Sequence, residues 1–188
     1  MTRRAVRHES GFTLIELMVA MAIMGIILVP IAGGLFVGLR TSDETSNRLA
    51  GSNDAQLLST WLPPDLHSAG NQSGDVVAAP TANTECSGLG NRLRIRWRAT
   101  EIAGGSATTY VAAYAISQAS TGEYRLIRYY CVGGGAASTH VIARNLANST
   151  AAAISTSGTK VTMTITEKST PTTPTSYTFS VSGYRRTP

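Results

Sequence analysis

Residues 12–39 read FTLIELMVAMAIMGIILVPIAGGLFVGL, an apolar run whose only charged residue is Glu16. At ~1.5 Å of rise per residue, a helix of this length reaches about 42 Å. The hydrocarbon core of a bilayer is about 30 Å thick, so the run is long enough to cross a membrane. It is too long for the apolar region of an ordinary secretory signal, which has roughly 7–15 residues. The run therefore predicts a membrane-spanning helix.

Basic residues before the apolar run indicate its orientation. Arg3, Arg4 and Arg7 precede it, and basic residues beside a span stay on the cytoplasmic side. The rest of the chain is therefore expected outside the cytoplasm. Within the run, Pro30 removes a helix hydrogen bond, so we expect a bent or partly melted segment after Val29.

Glu16 is the feature that a plain membrane anchor leaves unexplained. A carboxylate inside a spanning helix costs roughly 2.5–3.5 kcal/mol near the centre, so it indicates a function and a cationic partner. If the chain is cut after Gly11, the new terminus is the amine of Phe12, which is mostly protonated near neutral pH. An ammonium paired with Glu16 removes much of the penalty of burying the carboxylate. One helix does not easily bring its own first and fifth residues together, so we expect the partner to be a neighbouring subunit.

The segment Gly11-Phe12-Thr13-Leu14-Ile15-Glu16-Leu17 resembles the cleavage and methylation signature of type IV prepilins and pseudopilins. The resemblance implies that a prepilin peptidase cuts between Gly11 and Phe12. It also implies that Phe12 is then N-methylated and that Glu16 sets the register of subunits in a helical filament. The resemblance extends to about residue 40, although Pro30 lies earlier than is common in the family.

A second, partial resemblance suggests a subtype. The stretch Asp65-Leu66-His67-Ser68-Ala69-Gly70 is similar to a D-L-R-x-A-G stretch in minor pilins of the PilW and PulJ kind, with His67 replacing the basic residue. This match and the length of the following domain favour a minor pilin over a major one. A lone histidine here is more typical of a surface or capping residue than of a metal ligand.

Helical spacing continues beyond the apolar run. Leu57, Leu58, Trp61 and Leu62 recur at intervals of three and four and predict a helix face that packs on a core. Pro63-Pro64 is expected to end this helix.

Short apolar stretches separated by glycines follow the helix and predict an antiparallel sheet with one face on the helix. The predicted strands are Val76-Val77, 92–98, 108–116, 124–132, 140–143, 160–166 and 176–184. The expected fold class is α+β, with a long N-terminal helix that first spans the membrane and then packs on an antiparallel β-sheet domain. The expected divisions are a cleaved leader at 1–11, a transmembrane and assembly helix at 12–39 and a pilin-like globular domain at 40–188.

Residues 92–98 alternate strictly between basic and apolar side chains. This pattern places Leu93, Ile95 and Trp97 on one face of a strand and four arginines on the other. At about 6.6–6.8 Å intervals, the arginines match a polyanion such as DNA. The alternative is a solvated sheet face whose charge opposes edge-to-edge aggregation. The four residues are Arg92, Arg94, Arg96 and Arg98.

The two cysteines, Cys86 and Cys131, both fall on the non-cytoplasmic side of the predicted span. Oxidising compartments favour disulfides, so a bridge between them is predicted. Two buried free thiols are the alternative.

Composition and motifs exclude several classes of function. The chain has 188 residues and a net charge of +5, and its basic residues are spread along its length, unlike those of a histone-type nucleic-acid binder. Two cysteines and three histidines do not make a Cys-rich zinc module. No P-loop, HExxH, GxSxG or CxxC sequence occurs. We therefore predict a protein that is not an enzyme and has no metal site and no cofactor.

These observations lead to two hypotheses for function. The first is a structural minor pilin or pseudopilin that assembles through its apolar helix into a type IV pilus or type II secretion filament. Its expected partners are other pilin or pseudopilin subunits, the prepilin peptidase, an inner-membrane assembly platform and, before assembly, the lipid bilayer. The alternative is a single-pass, membrane-anchored binding module outside the cytoplasm, with DNA as a candidate ligand in competence. The expected location is the cytoplasmic membrane and then a pilus or pseudopilus.

Overall fold

The computed structural model describes residues 13–80, 86, 91–99, 105–168 and 176–186. In these residues one α-helix, α1 (Leu14–Ser68), precedes eight β-strands. The strands are β1 (Val76–Ala78), β2 (Leu93–Ala99), β3 (Thr108–Gln118), β4 (Tyr124–Val132), β5 (Ser138–Leu146), β6 (Ala152–Ser157), β7 (Lys160–Thr166) and β8 (Thr178–Tyr184). The predicted α+β class, with a long N-terminal helix and antiparallel strands, is confirmed.

The strands form two antiparallel sheets where the sequence predicted one. The larger sheet has the order β1-β2-β3-β4-β5, and the smaller has the order β6-β7-β8. Strand β6 was not predicted, because its sequence, AAISTS, lacks a clear alternation of apolar and polar residues. It forms by pairing with β7 through a short turn at Gly158, whose φ of 59° suits glycine.

The chain divides into two compact units, Met1–Asp43 and Glu44–Pro188, and α1 contributes to both. In the first unit the helix is unbroken through Pro30, so a melted segment after Val29 is excluded, and the predicted bend there stays a prediction. Proline lacks the N–H that would bond to the carbonyl of the residue four positions earlier, Ile26, and the helix continues past that position without this hydrogen bond.

In the second unit α1 continues to Ser68, so the prediction that Pro63-Pro64 ends the helix is also wrong. Tertiary packing outweighs the two lost N–H donors, because Leu62 and Leu66 on either side are fully buried. Close packing at this end depends on Gly183 of β8. A Cβ there would lie 2.7 Å from Leu66 Cδ1 and 3.0 Å from the Cα of Pro63.

One face of α1 forms the centre of the core of the second unit. Leu58, Leu62 and Leu66 are fully buried, and Leu57 and Trp61 pack against the same cluster, which confirms the predicted apolar face. Both sheets contribute to this cluster. Their fully buried members include Leu93, Ile95, Tyr114 and Leu126 of the larger sheet and Met163 and Ile165 of the smaller one.

A buried ion pair joins the last turn of α1 to the larger sheet. Arg128 of β4 donates through Nη2 to Asp65 Oδ1 at 2.6 Å and through Nε to Oδ2 at 2.7 Å. The hydroxyl of Tyr114 in β3 donates to the same Oδ2 at 2.7 Å. Burial and the charge of Asp65 raise the pKa of Tyr114 well above its ordinary value, so the phenol stays a donor. The Arg128 guanidinium also lies 4.5 Å from the ring centre of Trp61.

The same helix end is secured by the residues that follow it. Leu66 and Ala69 are buried, and the Gly70 amide donates to the carbonyl of Arg96 at 3.0 Å. A Cβ at Gly70 would clash with the carboxylate of Asp75, which itself pairs with Arg96 at 3.0 Å. His67 is exposed, as predicted for a surface residue. The stretch from Asp65 to Gly70 thus has a structural role, and the minor-pilin subtype that it suggests stays a prediction.

Two buried carboxylates, Asp54 of α1 and Glu167 directly after β7, lie near each other. We call this pair the carboxylate seam. Strand β5 has two extra residues opposite β4, one at each of two bulges, and at the bulge between Ala143 and Leu146 the Arg144 amide donates to Asp54 Oδ2 at 2.8 Å. Burial raises the pKa of Asp54, against the effect of that amide. Burial and the charge of Asp54 raise the pKa of Glu167 to about 7. Glu167 Oε1 is buried and has no hydrogen-bond partner in the described part of the chain.

Asp65→Asn is expected to lower the free energy of unfolding by about 3–5 kcal/mol, because it leaves a buried guanidinium without its counter-charge. Chemical unfolding of the full chain in detergent measures the change. The control is the double variant Asp65→Leu/Arg128→Met, which removes both charges and is expected to recover most of the loss. A single variant as stable as the wild type would contradict the importance of the pair.

Glu167→Gln is expected to stabilise the protein by about 1–2 kcal/mol at pH 8 and to have little effect near pH 4.5. The folded-state pKa of about 7 lies above the ordinary value of 4.5, so wild-type stability is lost as the pH rises between them. Measuring the free energy of unfolding of both proteins from pH 4.5 to pH 8 tests whether wild-type stability falls as the pH rises. Glu123→Gln, which removes a carboxylate outside the seam, should keep the wild-type pH dependence. If the stability of Glu167→Gln depended on pH as that of the wild type does, Glu167 would not be the source of the pH dependence.

Candidate functional site

The predicted assembly site lies at the start of α1. Gly11 and Phe12, the predicted cleavage and methylation positions, lie outside the described residues. Glu16 is in the first turn of the helix. Its roles in pairing and register stay predictions.

Glu16 forms a capping box with Thr13, the residue just before the helix. The Thr13 amide donates to Glu16 Oε2 at 3.1 Å, and the Thr13 hydroxyl donates to the same oxygen at 3.0 Å. The Glu16 amide donates back to Thr13 Oγ1 at 3.3 Å. These bonds satisfy amides that otherwise lack partners at a helix start. Glu16 is therefore stabilised within its own chain.

Sequence reasoning missed the role of Thr13, although a signal was present. The sequence Thr-Leu-Ile-Glu before an apolar run has the S/T-x-x-E spacing of a capping box. The charge of Glu16 predicts a partner in another subunit, and Thr13 is a second partner within the same chain. The two partners are compatible, because every bond to the carboxylate within the described residues uses Oε2. Oε1 remains available to a cation.

A shallow apolar groove runs beside Glu16 on the helix surface. It is lined by Ile15, Val19, Ala20 and Ile23 together with Glu16 itself. Ala20 lies one turn after Glu16, and a small residue at such a position lets a neighbouring helix approach closely. The site thus places a carboxylate oxygen beside a face suited to helix packing.

The whole first part of α1 presents apolar side chains. Leu14–Leu39 has a mean hydropathy of 2.6 with none of its length buried, and it is long and apolar enough to cross a membrane. Exposed fractions of 78% at Leu14 and 69% at Phe36 are unusual for an aqueous surface. This stretch is the one candidate span in the described part of the chain.

The four arginines of the predicted polyanion face are largely engaged within the chain. Arg92 donates to the carbonyl of Ser149, and Arg94 donates to that of Gly74 at 3.3 Å. Arg96 pairs with Asp75, while Arg98 is exposed. The predicted apolar face of this strand is confirmed, since Leu93 and Ile95 are fully buried and Trp97 packs against the core. A polyanion contact stays a prediction, and it centres on Arg98.

The structure contains the predicted disulfide between Cys86 and Cys131, whose Cα atoms are 5.6 Å apart. The bridge joins Cys86 to Cys131 of β4, and the two cysteines pack with Val111, Ala113 and Tyr129. No group of three or more His, Cys, Asp or Glu residues that could hold a metal ion occurs in residues 13–80, 86, 91–99, 105–168 and 176–186.

A family model described as the prokaryotic N-terminal methylation motif matches residues 6–32. No curated protein and no solved structure matches the chain. The family match spans the predicted cleavage position, Glu16 and Pro30. It supports the predicted prepilin-type N-terminus and does not extend to the sheet-containing part of the chain.

Thr13→Val is expected to speed hydrogen exchange of the Glu16 amide about fivefold or more, because loss of a capping side chain typically destabilises a helix start by about 1 kcal/mol. Exchange is measured on the full chain in detergent micelles. Thr13→Ser keeps the hydroxyl and should retain wild-type exchange. Equal rates in Thr13→Val and the wild type would show that the capping box contributes nothing measurable.

Proposed function

We propose that this chain is a structural, non-enzymatic subunit of the type IV pilin class, a minor pilin or pseudopilin that enters a filament through α1. The observation that carries the proposal is the methylation-motif match over residues 6–32, within which Glu16 lies in the first turn of a long, unburied apolar helix. A motif of this type implies processing by prepilin peptidase and contact with other pilin subunits.

Before assembly, the apolar part of α1 would lie in the bilayer. The hydrophobic effect retains Leu14–Leu39 there, because its side chains have no core to enter in their own chain. Extraction into a filament requires neighbouring helices that replace the lipid. The groove lined by Ile15, Val19 and Ala20 offers a face for such a neighbour.

Glu16 would select the axial position of that neighbour. After cleavage at Gly11, the terminal amine of Phe12 in an adjacent subunit would pair with Glu16 Oε1 while Thr13 keeps Oε2. An ion pair in apolar surroundings is sensitive to position, because a misplaced neighbour leaves a buried charge without a partner. Glu16 would thus set the register.

The remaining parts of the proposal concern location and partners. The cut would separate a leader at 1–11 from an assembly helix at 12–39, and the domain at 40–188 would lie outside the cytoplasm. The subunit would interact with an inner-membrane assembly platform before it enters a pilus or a secretion pseudopilus. The disulfide between Cys86 and Cys131 suits such an oxidising location.

The alternative function is a binding module that α1 merely anchors in the membrane. One observation favours it: the capping box gives Glu16 a role in an isolated helix, with no second subunit. Arg98, which is exposed on β2, would then be the starting point for a DNA contact.

Glu16→Gln separates the two functions. In the native host, mass spectrometry of the wild type should find Phe12 as the first residue with one added methyl group. The variant should be processed and retained in the membrane but largely lost from sheared filaments, because a neutral amide does not pair with the amine. The carboxylate variant Glu16→Asp is the matched control and should retain part of the incorporation.

Two results would contradict the filament proposal. One is a mature chain that begins at Met1, which would favour the anchored module. The other is normal filament incorporation of Glu16→Gln, which would remove the assembly role of the carboxylate.

A further inference from the structure

We propose that the free edge of β8 is a docking site for an extended segment of another protein. The partner segment would alternate hydroxyl-bearing and apolar side chains and carry acidic residues beside Arg185 and Arg186. The inference goes beyond the filament role. It concerns β7, β8 and the two arginines that follow β8, and it would stand if α1 served only as an anchor.

The register of the smaller sheet shows which backbone groups are open. The Glu167 amide donates to the carbonyl of Tyr177, and the Arg185 amide donates to that of Thr159. Odd-numbered residues of β8 therefore bond to β7, and even-numbered ones point their N–H and C=O groups away from it. Across the described ranges, no other strand pairs with these outward groups. They belong to Thr178, Ser180, Ser182 and Tyr184.

The edge of β8 lacks the features that usually block strand addition. It has no charged residue, no proline and no bulge against β7. Thr178, Ser180 and Tyr184 are exposed. An open, regular, uncharged edge of this kind is a template for an added strand.

The other sheet edges are less suitable. Strand β1 has only three residues, and β5 is bulged. Strand β6 is also uncharged, but Ala152, whose backbone points outward, is only 1% exposed. The edge of β8 is therefore the most accessible one in the described part of the chain.

The two faces of β8 indicate the side chains that a partner strand needs. On the core side, Phe179 and Val181 are only partly buried, so an apolar neighbour would cover them further. On the outer side, the hydroxyls of Ser180 and Ser182 each bond at 2.8 Å to a threonine of β7. Hydroxyl side chains on the added strand would extend these pairs.

Positive charge at the Tyr184 end of β8 indicates which end of a partner segment should lie there. Lys160 lies opposite Tyr184, and Arg185 and Arg186 follow directly. No ion pair involves these three cations among the described residues. A partner segment that ends in acidic residues would therefore complement this end of the sheet.

The test uses the full chain in detergent and a short blocked peptide of alternating threonine and valine that ends in two glutamates. Fluorescence anisotropy of the labelled peptide measures its affinity, and a matched peptide ends in two lysines. Ser182→Pro removes an outward N–H without breaking the ladder to β7, so it should weaken binding about fivefold or more. Arg185→Ser/Arg186→Ser should abolish the preference for the glutamate peptide.

Two variants serve as controls for Ser182→Pro. Ser182→Ala removes the hydroxyl but keeps the N–H, and Thr156→Pro places a proline on the outward side of β6. Thr156→Pro should bind the peptide like the wild type, and Ser182→Ala, which loses only a hydroxyl pair, should bind more tightly than Ser182→Pro. Near-ultraviolet circular dichroism should show that all variants are folded. The proposal is overturned if the glutamate peptide does not bind the wild type or binds no better than the lysine peptide. It is also overturned if Ser182→Pro binds as well as Thr156→Pro.

Discussion

The fold depends on the burial of one face of α1 against two sheets. Leu58, Leu62 and Leu66 supply the apolar area, and burying a leucine stabilises a fold by about 1.5–3 kcal/mol. Apolar packing tolerates small rotations of a helix, whereas the pair between Asp65 and Arg128 does not. Because a misplaced helix would leave one charge buried and unpaired, the pair specifies how the end of α1 lies on the larger sheet.

The first part of the same helix is not buried against the rest of its chain. Its side chains from Leu14 to Leu39 find no partners in their own unit, so we propose that lipid or other subunits cover them. Glu16 has one observed role in this setting and one that we propose. One carboxylate oxygen stabilises the start of the helix through Thr13, and the other is free for the cation that assembly would provide.

The accuracy of the sequence predictions varied with the range of the interactions involved. The α+β class and the apolar faces of α1 and β2 follow from periodicity, and the structure confirms them. The helix end at Pro63-Pro64 was wrong because a local rule for proline was outweighed by packing against Gly183 and the larger sheet. Strand β6 was missed because its small side chains give no periodic signal and its conformation depends on pairing with β7. The disulfide was predicted from compartment, and the structure supplies the short Cα separation that it needs.

At the candidate site, the sequence by itself determined the apolar span and the place of Glu16 within it, and it contained the overlooked spacing to Thr13. These features depend on neighbours along one helix and on the solvent around it, so they can be inferred from consecutive residues. Only the tertiary structure decided the partner of Asp65, the raised pKa of Glu167 and the open edge of β8. Each of these depends on strand register and on residues far apart in the chain, whose meeting in space no local pattern encodes.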